Sequence, residues 1–341
     1  MANVTIYDVA ARAGVSIKTV SRVMNNEHVS APTREKVLKA AKAMGYAPSL
    51  SARSLASSKS FVLTIIVDAE LTLEHWSSGR GSDYLNRVQL GVTVPARKAG
   101  YHVLVELVDH HEERLRQDLT GLLGALKPDG VILTPPSSDH PAVLAMLKAA
   151  RIPFVRLGSE VDSPGGARLP LDEHGAAFAL TQALIARGHR KIGFITGDAR
   201  YGASHARRAG FEEAMRAAGL ELRPTWIAEG DFTYHSGEEA SRRILDQADR
   251  PTAIFASNDD MALGCMATAD ALNLKIPGDL SVAGFDDSIG ARFSRPGLTT
   301  IRHPLTQSAR AAAEALLSGE VSDLAALPFE LIFRESTDAV P

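Results

Sequence analysis

Four residues near the N-terminus combine side chains that could read DNA bases. Ile17, Lys18, Ser21 and Arg22 would share one face of a short helix, because residues three or four positions apart are neighbours on a helix surface. The Arg22 guanidinium could bond two acceptors of a guanine, and Lys18 could reach the same groove. Ile17 offers only apolar contact, for example with a thymine methyl group. These residues therefore predict major-groove contacts but no operator sequence.

Four residues further along the chain could bind a small molecule that is rich in hydroxyl groups. Asn258 and Asp286 follow the apolar runs TAIFAS and SVAGF, while Arg207 and Phe232 would add a forked donor and a flat apolar wall. Ligands of parallel α/β folds lie at the carboxyl ends of the strands. The predicted effector is a sugar or sugar derivative, and a purine-like ligand remains open.

Some of these polar residues also have a plainer interpretation. Asp259 and Asp260 stand where they could mainly cap the next helix, and Phe232 taken alone would more often belong to a core. Carboxylates that are adjacent in sequence, as at 259–260 and 286–287, do not by themselves indicate acid/base catalysis.

Two short helices and a tight turn are predicted to position the base-reading residues. Thr5 and Asp8 match a capping box, Gly14 suits a left-handed turn, and Ser16 can cap a helix that continues to about Asn25. Two helices that cross through a glycine-containing turn are typical of a helix-turn-helix motif, whose second helix enters the major groove.

A third helix is predicted from near Ser30 to Gly45. Its inward-facing side chains would be Val37, Leu38, Ala41 and Met44. The alternative to a DNA reader is a three-helix bundle with a solvated charged face.

The segment 49–59 is predicted to be a short hinge helix. Pro48 ends the third helix, and Ser49 can cap the next one. So short and polar a helix is not stable alone, so contact with DNA and with a twin helix would explain it. Leu55 would insert into a base step from the minor groove, with Arg53 nearby. Taken alone, the segment also fits a flexible serine-rich linker.

Charge is unevenly distributed along the 341 residues. Residues 1–59 carry a formal charge of +6, while the remainder carries −9. A basic module followed by an acidic body is expected when only one part meets phosphate groups.

From residue 60 onward, short apolar runs alternate with amphipathic segments. The predicted strands are 61–68, 101–108, 130–135, 153–158, 191–197, 252–257 and 280–287. The predicted helices include 112–126, 175–187, 207–218, 236–247 and 259–272. Alternating strands and helices predict an α/β fold with parallel sheets, and their number predicts two Rossmann-like lobes with a ligand cleft between them.

The N-terminal sequence resembles that of a known family of DNA-binding proteins. The stretch that begins VTIYDVAARAGVSIKTVSRVMNN and ends YAPSLSARSLAS is similar throughout to the helix-turn-helix domain and hinge helix of LacI/GalR repressors. This resemblance implies base contacts from Ile17, Lys18 and Arg22, and a minor-groove lever at Leu55. It implies contacts with the DNA backbone from Ser16, Thr19 and Asn25.

The resemblance continues through the body of the chain. GHRKIGFITGD, RAGFEEAMRAAGL, ASNDDMALG, LSVAGFDD and LTTIR stand in the order of the family's periplasmic-binding-protein-type core. By this match, effector contacts are implied for Arg207, Phe232, Asn258 and Asp286. His303 departs from the glutamine that the family often has there. The stretch 69–86 is longer than the family's usual loop. In the family this loop helps to close the pocket from the first lobe, so the resemblance makes Trp76 and Tyr84 further candidates.

The expected organisation is a helix-turn-helix domain over 1–48, a hinge over 49–59, and an effector-binding and dimerisation core over 60–341. The first lobe of the core would comprise about 60–160 and 289–318, and the second about 161–288 and 319–341. No heptad tail for tetramerisation is evident, so a homodimer is expected.

The predicted function is that of an allosteric repressor, which binds a pseudo-palindromic operator in double-stranded DNA. A small-molecule effector would release the repressor from this operator, and a carbohydrate is the favoured effector. A corepressor, which would strengthen DNA binding, remains open. Without a signal peptide or an apolar run of spanning length, the expected location is the cytoplasm, in association with the nucleoid and not with a membrane.

Catalysis, metals and cofactors are not predicted. The histidines at 110–111 and 235 lack ligand partners at metal-binding spacing and are expected to be solvated or capping, while Cys265 is expected in the core. The chain has no G-x-S-x-G elbow, P-loop or dinucleotide fingerprint. A sugar-transport component and a sugar-converting α/β enzyme are the rival functions. A basic N-terminal module argues against the first, and the missing catalytic motifs argue against the second.

Overall fold

A computed structural model describes residues 4–25, 27–48, 50–57, 59–159, 161 and 165–340. The chain forms two compact units. The first comprises residues 1–62 with 126–129, and the second comprises 63–125 with 130–341.

The first unit is helical. Its helices are α1 (Ile6–Ala13), α2 (Ile17–Met24), α3 (Ala31–Met44) and α4 (Leu50–Ser57). The predicted capping box at Thr5 and Asp8 is confirmed, and Gly14 ends α1 in the left-handed conformation at φ +63°. Ser16 caps α2 through its hydroxyl, which accepts a hydrogen bond from the Thr19 amide at 3.1 Å.

The first three helices share a small apolar core. Val9, Val20 and Val37 are fully buried at its centre, and Ala41 packs beside them. The prediction that Leu38 also faces inward is wrong, because its side chain is about half exposed. Val37 and Ala41 are one helical turn apart and fill the face that meets α1, so Leu38 points about a quarter turn away.

The second unit contains two parallel sheets, and the α/β fold is confirmed. The strands of the first sheet are β1 (Val62–Asp68), β2 (His102–Val108), β3 (Gly130–Leu133), β4 (Phe154–Leu157) and β5 (Ala167–Leu169). Those of the second are β6 (Ile192–Thr196), β7 (Ile227–Glu229), β8 (Ala253–Ala256) and β9 (Ser281–Ala283). The strand orders are β2-β1-β3-β4-β5 and β7-β6-β8-β9.

Helices follow the strands in both lobes. Those of the first lobe are α5 (Ala69–Ser78), α6 (Asp83–Lys98), α7 (Glu112–Ala125), α8 (Pro141–Ala149) and a later helix, α14 (Leu305–Ser318). Those of the second are α9 (Glu173–Ala186), α10 (Gly202–Ala217), α11 (Tyr234–Leu245), α12 (Asp259–Ala271) and α13 (Ile289–Phe293). A two-stranded antiparallel ribbon joins β10 (Thr300–Arg302) to β11 (Glu330–Ile332).

The chain crosses between the lobes at other points than the sequence suggested. β5 pairs with β4, so the first sheet extends to Leu169 and not to about residue 160. Ala291 and Ile301 pack in the cores of the second lobe, and the chain returns to the first lobe only after Arg302. The strands that the sequence analysis missed (β5, β7, β10 and β11) have three residues each, too few to show a periodic pattern.

The stretch 69–86 is mostly helical and not a loop. Asp68 ends β1 and caps α5 by accepting a hydrogen bond from the Leu71 amide at 3.1 Å. Leu71 then packs against the core of the second lobe, so α5 starts on one lobe and contacts the other.

Candidate functional site

The exposed face of α2 carries the predicted base-reading residues. Ile17, Lys18 and Arg22 are exposed and Ser21 is half-buried, whereas Val20 and Val23 face the core. This separation follows from the helical period, because the two valines lie on the side opposite the polar residues.

The polar groups of this face already make local contacts. The Arg22 Nε lies 3.3 Å from a carboxylate oxygen of Glu27, and both side chains are about half exposed, at 46% and 52%. Asn25 donates its amide to the Ser21 hydroxyl at 3.3 Å, and the hydroxyls of Ser16 and Thr19 are 2.9 Å apart. Contacts between exposed groups are weak, so a nucleic acid could replace them at little cost.

The hinge segment is helical, as predicted, over α4. Arg53 stacks its guanidinium on the ring of Phe61, with 3.8 Å between the guanidinium carbon and the ring centroid. Ser49 and the side chain of Leu55 lie outside the described residues, so their predicted capping and wedging roles stay predictions.

A cleft of about 1000 Å³ in the second unit contains all four predicted effector residues, Arg207, Phe232, Asn258 and Asp286. Both lobes line this cleft, since Trp76 and Tyr84 come from the first lobe and Arg207 and Asp286 from the second. The other side chains that line it include Asp68, His75, Asp83, Glu173, Tyr201, Asp260 and Ser288.

Arg207 is buried in the cleft wall, where it forms an ion pair. Its Nε donates to Oε2 of Glu173 at 2.7 Å, and Nη1 donates to the Ser257 carbonyl. Burial alone would raise the pKa of Glu173, but Arg207 and the nearby His303 outweigh it and hold this pKa at about 2. Arg207 also stacks on Phe285, at 3.7 Å from the ring centroid. The guanidinium is therefore held in place before any ligand arrives.

The carboxyl group of Asp286 lies farther from Arg207 than that of Glu173 does. Burial raises the pKa of Asp286 to about 8 despite Arg207, because the two side chains are 3.9 Å apart, longer than a hydrogen bond. The neighbouring Asp287 points elsewhere and bonds to Arg292 and Arg302 at 2.7 Å. The two aspartates thus have separate environments although they are adjacent in sequence.

Asn258 has a structural role as well as a place in the cleft. Its side-chain oxygen accepts from the Met261 amide at 2.9 Å and caps α12, and its nitrogen donates to the Phe232 carbonyl at 2.8 Å. The expectation that Asp259 mainly caps this helix is wrong. Asp259 instead accepts hydrogen bonds from the Ser288 amide and the Thr300 hydroxyl, both at 2.6 Å.

Aromatic side chains form part of the cleft wall. Phe232 is almost buried, and its ring meets that of Tyr201 edge-on at 5.3 Å. A side chain at Gly197 would clash with the Phe232 ring, so this glycine leaves room for it. Trp76 is half exposed beside the cleft.

Hydrogen bonds join the two lobes at the edge of the cleft. Tyr201 donates its hydroxyl to Asp68 at 2.9 Å, and Arg87 donates to the carbonyls of Asp286 and Asp287. Arg200 pairs with Glu70 at 2.8 Å. The lobes are thereby held together by contacts that a ligand could strengthen or replace.

One histidine near this edge differs from expectation. His110 is not solvated but buried, with Nδ1 3.0 Å from Asp68 and Nε2 2.8 Å from the Ser137 hydroxyl. Burial would raise the pKa of Asp68, but His110, the Leu71 amide and Tyr201 together lower it. By contrast, His111 and His235 are exposed, and Cys265 is buried as predicted.

Several residues of the cleft were not predicted from the sequence. Asp68 is the last residue of a predicted strand, so its position at a strand end was a usable signal. Glu173, Tyr201 and His75 have no such signal, because helix starts and tertiary packing bring them to the cleft.

Neither a metal site nor a membrane span is apparent in the described part of the chain. No cluster of metal-ligating side chains occurs there, and its helices are too short or too polar to cross a bilayer.

Comparison with known proteins identifies the family to which this chain belongs. Residues 5–49 match bacterial regulatory proteins of the lacI family, and residues 181–337 match a periplasmic binding protein-like domain. The catabolite control protein A of Priestia megaterium is 33% identical over 342 residues, which cover 98% of this chain and 99% of that protein. The chain belongs to the LacI family.

Solved structures of LacI-family regulators have the same fold. A lac repressor dimer bound to operator and the anti-inducer ONPF is 28% identical, with a TM-score of 0.83 over 99% of this chain and 100% of that one. The CelR regulator in complex with cellobiose is 32% identical, with a TM-score of 0.73 over 98% of this chain and 100% of that one.

This LacI-family protein is therefore a DNA-binding transcriptional regulator and not an enzyme. As a DNA-binding regulator of bacterial type, it acts in the cytoplasm.

Proposed function

We propose that this regulator is a repressor that a carbohydrate effector releases from its operator. The observation that supports it best is the cleft, where Arg207, Asn258 and Asp286 present donors and acceptors beside the aromatic ring of Phe232. Sugars expose hydroxyl groups that both donate and accept, together with flat apolar faces. The related CelR regulator binds cellobiose, which makes a small saccharide the first candidate.

On the DNA side, Ile17, Lys18, Ser21 and Arg22 are proposed to contact base edges in the major groove. The exposed positions of Ile17, Lys18 and Arg22 on α2, with the half-buried Ser21 on the same face, support this role. Contacts with the DNA backbone are proposed for Ser16, Thr19 and Asn25, which flank that face. Such contacts place the helix on the duplex, while the base contacts select the sequence.

The operator is proposed to be pseudo-palindromic and to bind a homodimer, as in the lac repressor dimer bound to its operator. Association with the nucleoid would follow. Arg53 and Leu55 of the hinge are proposed to enter the minor groove, with Leu55 as a wedge. A gel-phasing assay of Leu55→Ala tests the wedge, because losing it should reduce DNA bending.

The effector would act by favouring one arrangement of the lobes. Because Tyr201–Asp68 and Arg87–Asp286 already join the lobes at the cleft edge, a bound sugar would change the balance of these contacts. Coupling of this kind is reciprocal, so operator DNA must weaken effector binding by the same factor.

The test has two steps. Genomic fragments retained by the full chain identify the operator, and fluorescence anisotropy then follows release of that operator by cellobiose, D-glucose and D-galactose. At least one sugar should weaken operator binding, and Asp286→Ala should abolish its effect. A sugar that tightens binding would make the protein a corepressor-dependent regulator, and failure of every sugar to bind would contradict a carbohydrate effector.

A further inference from the structure

The chain forms a strained turn at two consecutive aspartates, Asp286 and Asp287, which we call the aspartate turn. Their φ angles are +112° and +53°, and no other two consecutive non-glycine residues in the described part of the chain both have positive φ. Aspartate tolerates the left-handed region near +53°, but +112° lies beyond it, where side chains are rarely found. Strain of this kind persists only where surrounding contacts hold it, and it is concentrated at binding sites.

The turn sends its two carboxylates to different places. That of Asp286 lines the effector cleft, whereas Asp287 is fully buried among arginines. Arg292 and Arg302 each donate to one oxygen of the Asp287 carboxylate at 2.7 Å, and Arg334 donates to the other oxygen. Burial would raise the pKa of Asp287, but the three arginines together lower it. The second lobe therefore anchors the turn through this ionised side chain.

The first lobe holds the main chain of the same turn. Arg87, on α6, donates Nη1 to the Asp286 carbonyl at 2.8 Å and Nη2 to the Asp287 carbonyl. Its Nε pairs with Asp83, one helical turn earlier, at 2.7 Å, so the guanidinium is already oriented. The arginine fork can bond two neighbouring acceptors at once, whereas a lysine carries a single ammonium group. One side chain of the first lobe thus spans the whole turn.

Another strained residue of the cleft is held differently. Phe232 has a φ of +73°, and its carbonyl accepts a hydrogen bond from the side chain of Asn258 at 2.8 Å. Phe232 and Asn258 both belong to the second lobe, so a movement of the lobes leaves this contact in place. The same movement would remove Arg87 from the aspartate turn and leave the strain there with fewer contacts to hold it. Of the two strained positions, only that of Asp286 therefore depends on how the lobes are arranged.

We propose that Arg87 is a positioning residue for the effector, which holds the aspartate turn from the first lobe and so keeps Asp286 directed into the cleft while the lobes are together. The proposal rests on the proposed contact between Asp286 and the effector. Arg87 would act through Asp286 and not by binding the ligand itself. Lobe closure and effector binding then depend on each other, because a ligand that bonds Asp286 stabilises the same turn that Arg87 holds.

The first test needs no ligand. Hydrogen–deuterium exchange of the full chain compares wild type with Arg87→Lys over peptides that span 284–289. The lysine keeps a charge beside Asp83 but gives up at least one carbonyl bond, so exchange there should be about five-fold faster or more, while β6 and β8 are unchanged. Arg200→Lys is the matched control, because Arg200 pairs with Glu70 across the same two lobes at 2.8 Å without bonding the turn in the described structure.

Unchanged exchange over 284–289 in Arg87→Lys would overturn the proposal. An equal increase over the whole of both lobes would overturn it too, because Arg87 would then stabilise the fold in general.

The strain is tested by Asp286→Gly and Asp286→Ala, which remove the same carboxylate. At an ordinary φ the glycine variant is the less stable of such a pair, whereas at +112° it should have the higher urea midpoint. A higher midpoint for Asp286→Ala would show that the turn is unstrained, which contradicts the proposal.

The ligand test asks whether Arg87 acts through Asp286. Titration of the full chain with D-glucose, D-galactose and cellobiose is followed by tryptophan fluorescence, because Trp76 lies beside the cleft. For the sugar that binds wild type most tightly, Arg87→Lys should weaken binding about ten-fold. In the Asp286→Gly background, the same replacement should change the affinity by less than about two-fold, because no carboxylate remains to be positioned. Equal losses in both backgrounds would show that Arg87 acts independently of Asp286 and would overturn the proposal.

Failure of this proposal can be distinguished from failure of the proposed function. If no sugar binds to wild type, the carbohydrate function fails, whereas the role of Arg87 in holding the turn is still decided by the exchange rates and the urea midpoints. If a sugar binds and releases the operator, but Arg87→Lys binds it as tightly as wild type does, the proposed function stands and the positioning role is overturned.

Discussion

Two arginine–glutamate pairs show how differently the two units use charge. The Arg22–Glu27 pair on α2 is 3.3 Å long and about half exposed, whereas Arg207–Glu173 in the cleft is 2.7 Å long and nearly buried, at 8% and 5% exposure. Water screens the first pair, so it can open and let Arg22 bind another partner. Burial makes the second pair costly to break, so it holds Arg207 in one position. An exchangeable surface suits DNA reading, and a preorganised wall suits ligand selection.

The largest difference between the two pairs should appear in the free energy of unfolding when the glutamate of each pair is removed. Glu173→Ala should destabilise the protein by about 3–5 kcal/mol, because it leaves the Arg207 charge buried without its partner. Glu27→Ala should change stability by no more than about 0.5 kcal/mol. Urea unfolding at neutral pH measures both, and similar losses for the two variants would contradict the contrast.

A second effect should appear in the pH dependence of stability. Because the pKa of Asp286 is raised from 3.8 to about 8, its contribution to stability is full below pH 3.8 and is lost as the pH rises to about 8. Asp286→Asn removes this dependence. As the pH rises from about 4 to about 9, the wild type should lose stability relative to the variant, by no more than about 1–3 kcal/mol because the Asp286 side chain is 32% exposed and water screens its charge.

Urea midpoints of both proteins across this range provide the measurement. Asp259 and Asp260, with pKa values of about 7 and about 6, titrate in the same sense and remain in the variant, so the comparison reports on Asp286 together with its coupling to Asp259. Parallel curves for wild type and Asp286→Asn would show that Asp286 titrates normally.

On the DNA side, Arg22→Ala should relax sequence preference. Discrimination against a substituted guanine should fall by roughly 1–3 kcal/mol, while affinity for unrelated DNA changes little. Arg208→Ala is the matched control, because Arg208 is also about half exposed and paired, but with Glu212 in the second unit. Anisotropy with operator variants is the measurement, and an equal loss on all sequences would identify Arg22 as a phosphate contact.

The smallest effect is expected from replacing Glu27, which lies beside the exposed face of α2 and pairs with Arg22. Glu27→Ala removes a negative charge beside Arg22 and frees its guanidinium, so affinity for DNA should rise by up to about 1 kcal/mol at low salt. The gain should vanish in high salt, where exposed charges are screened. A weaker affinity in the variant would show that the ion pair positions Arg22 for binding.

Much of the helix-turn-helix unit was predictable because its signals are local. The Thr5–Asp8 capping box, the turn at Gly14 and the Ser16 cap are each settled by residues within a few positions of one another. The error at Leu38 has a related cause, since an apolar residue beside a buried face looks like part of it until the packing is known.

The cleft was predictable only in part. Arg207, Phe232, Asn258 and Asp286 could be named because strand ends and family motifs mark them, and all four line one cavity. Two other roles could not be predicted, namely that Asn258 caps α12 and that Asp259 bonds Ser288 and Thr300. These roles depend on which loop packs against α12.

The sequence by itself determined the class of fold, the basic first unit and the helical face that carries Ile17, Lys18 and Arg22, because periodicity, caps and charge are short-range properties of the chain. Only the tertiary structure decided that Glu173 pairs with Arg207, that His110 bonds Asp68, and that Tyr84 and His303 line one small cavity beside the cleft. Those partners lie far apart in sequence. Their pairing follows from how two sheets and their crossovers pack, which no local pattern records.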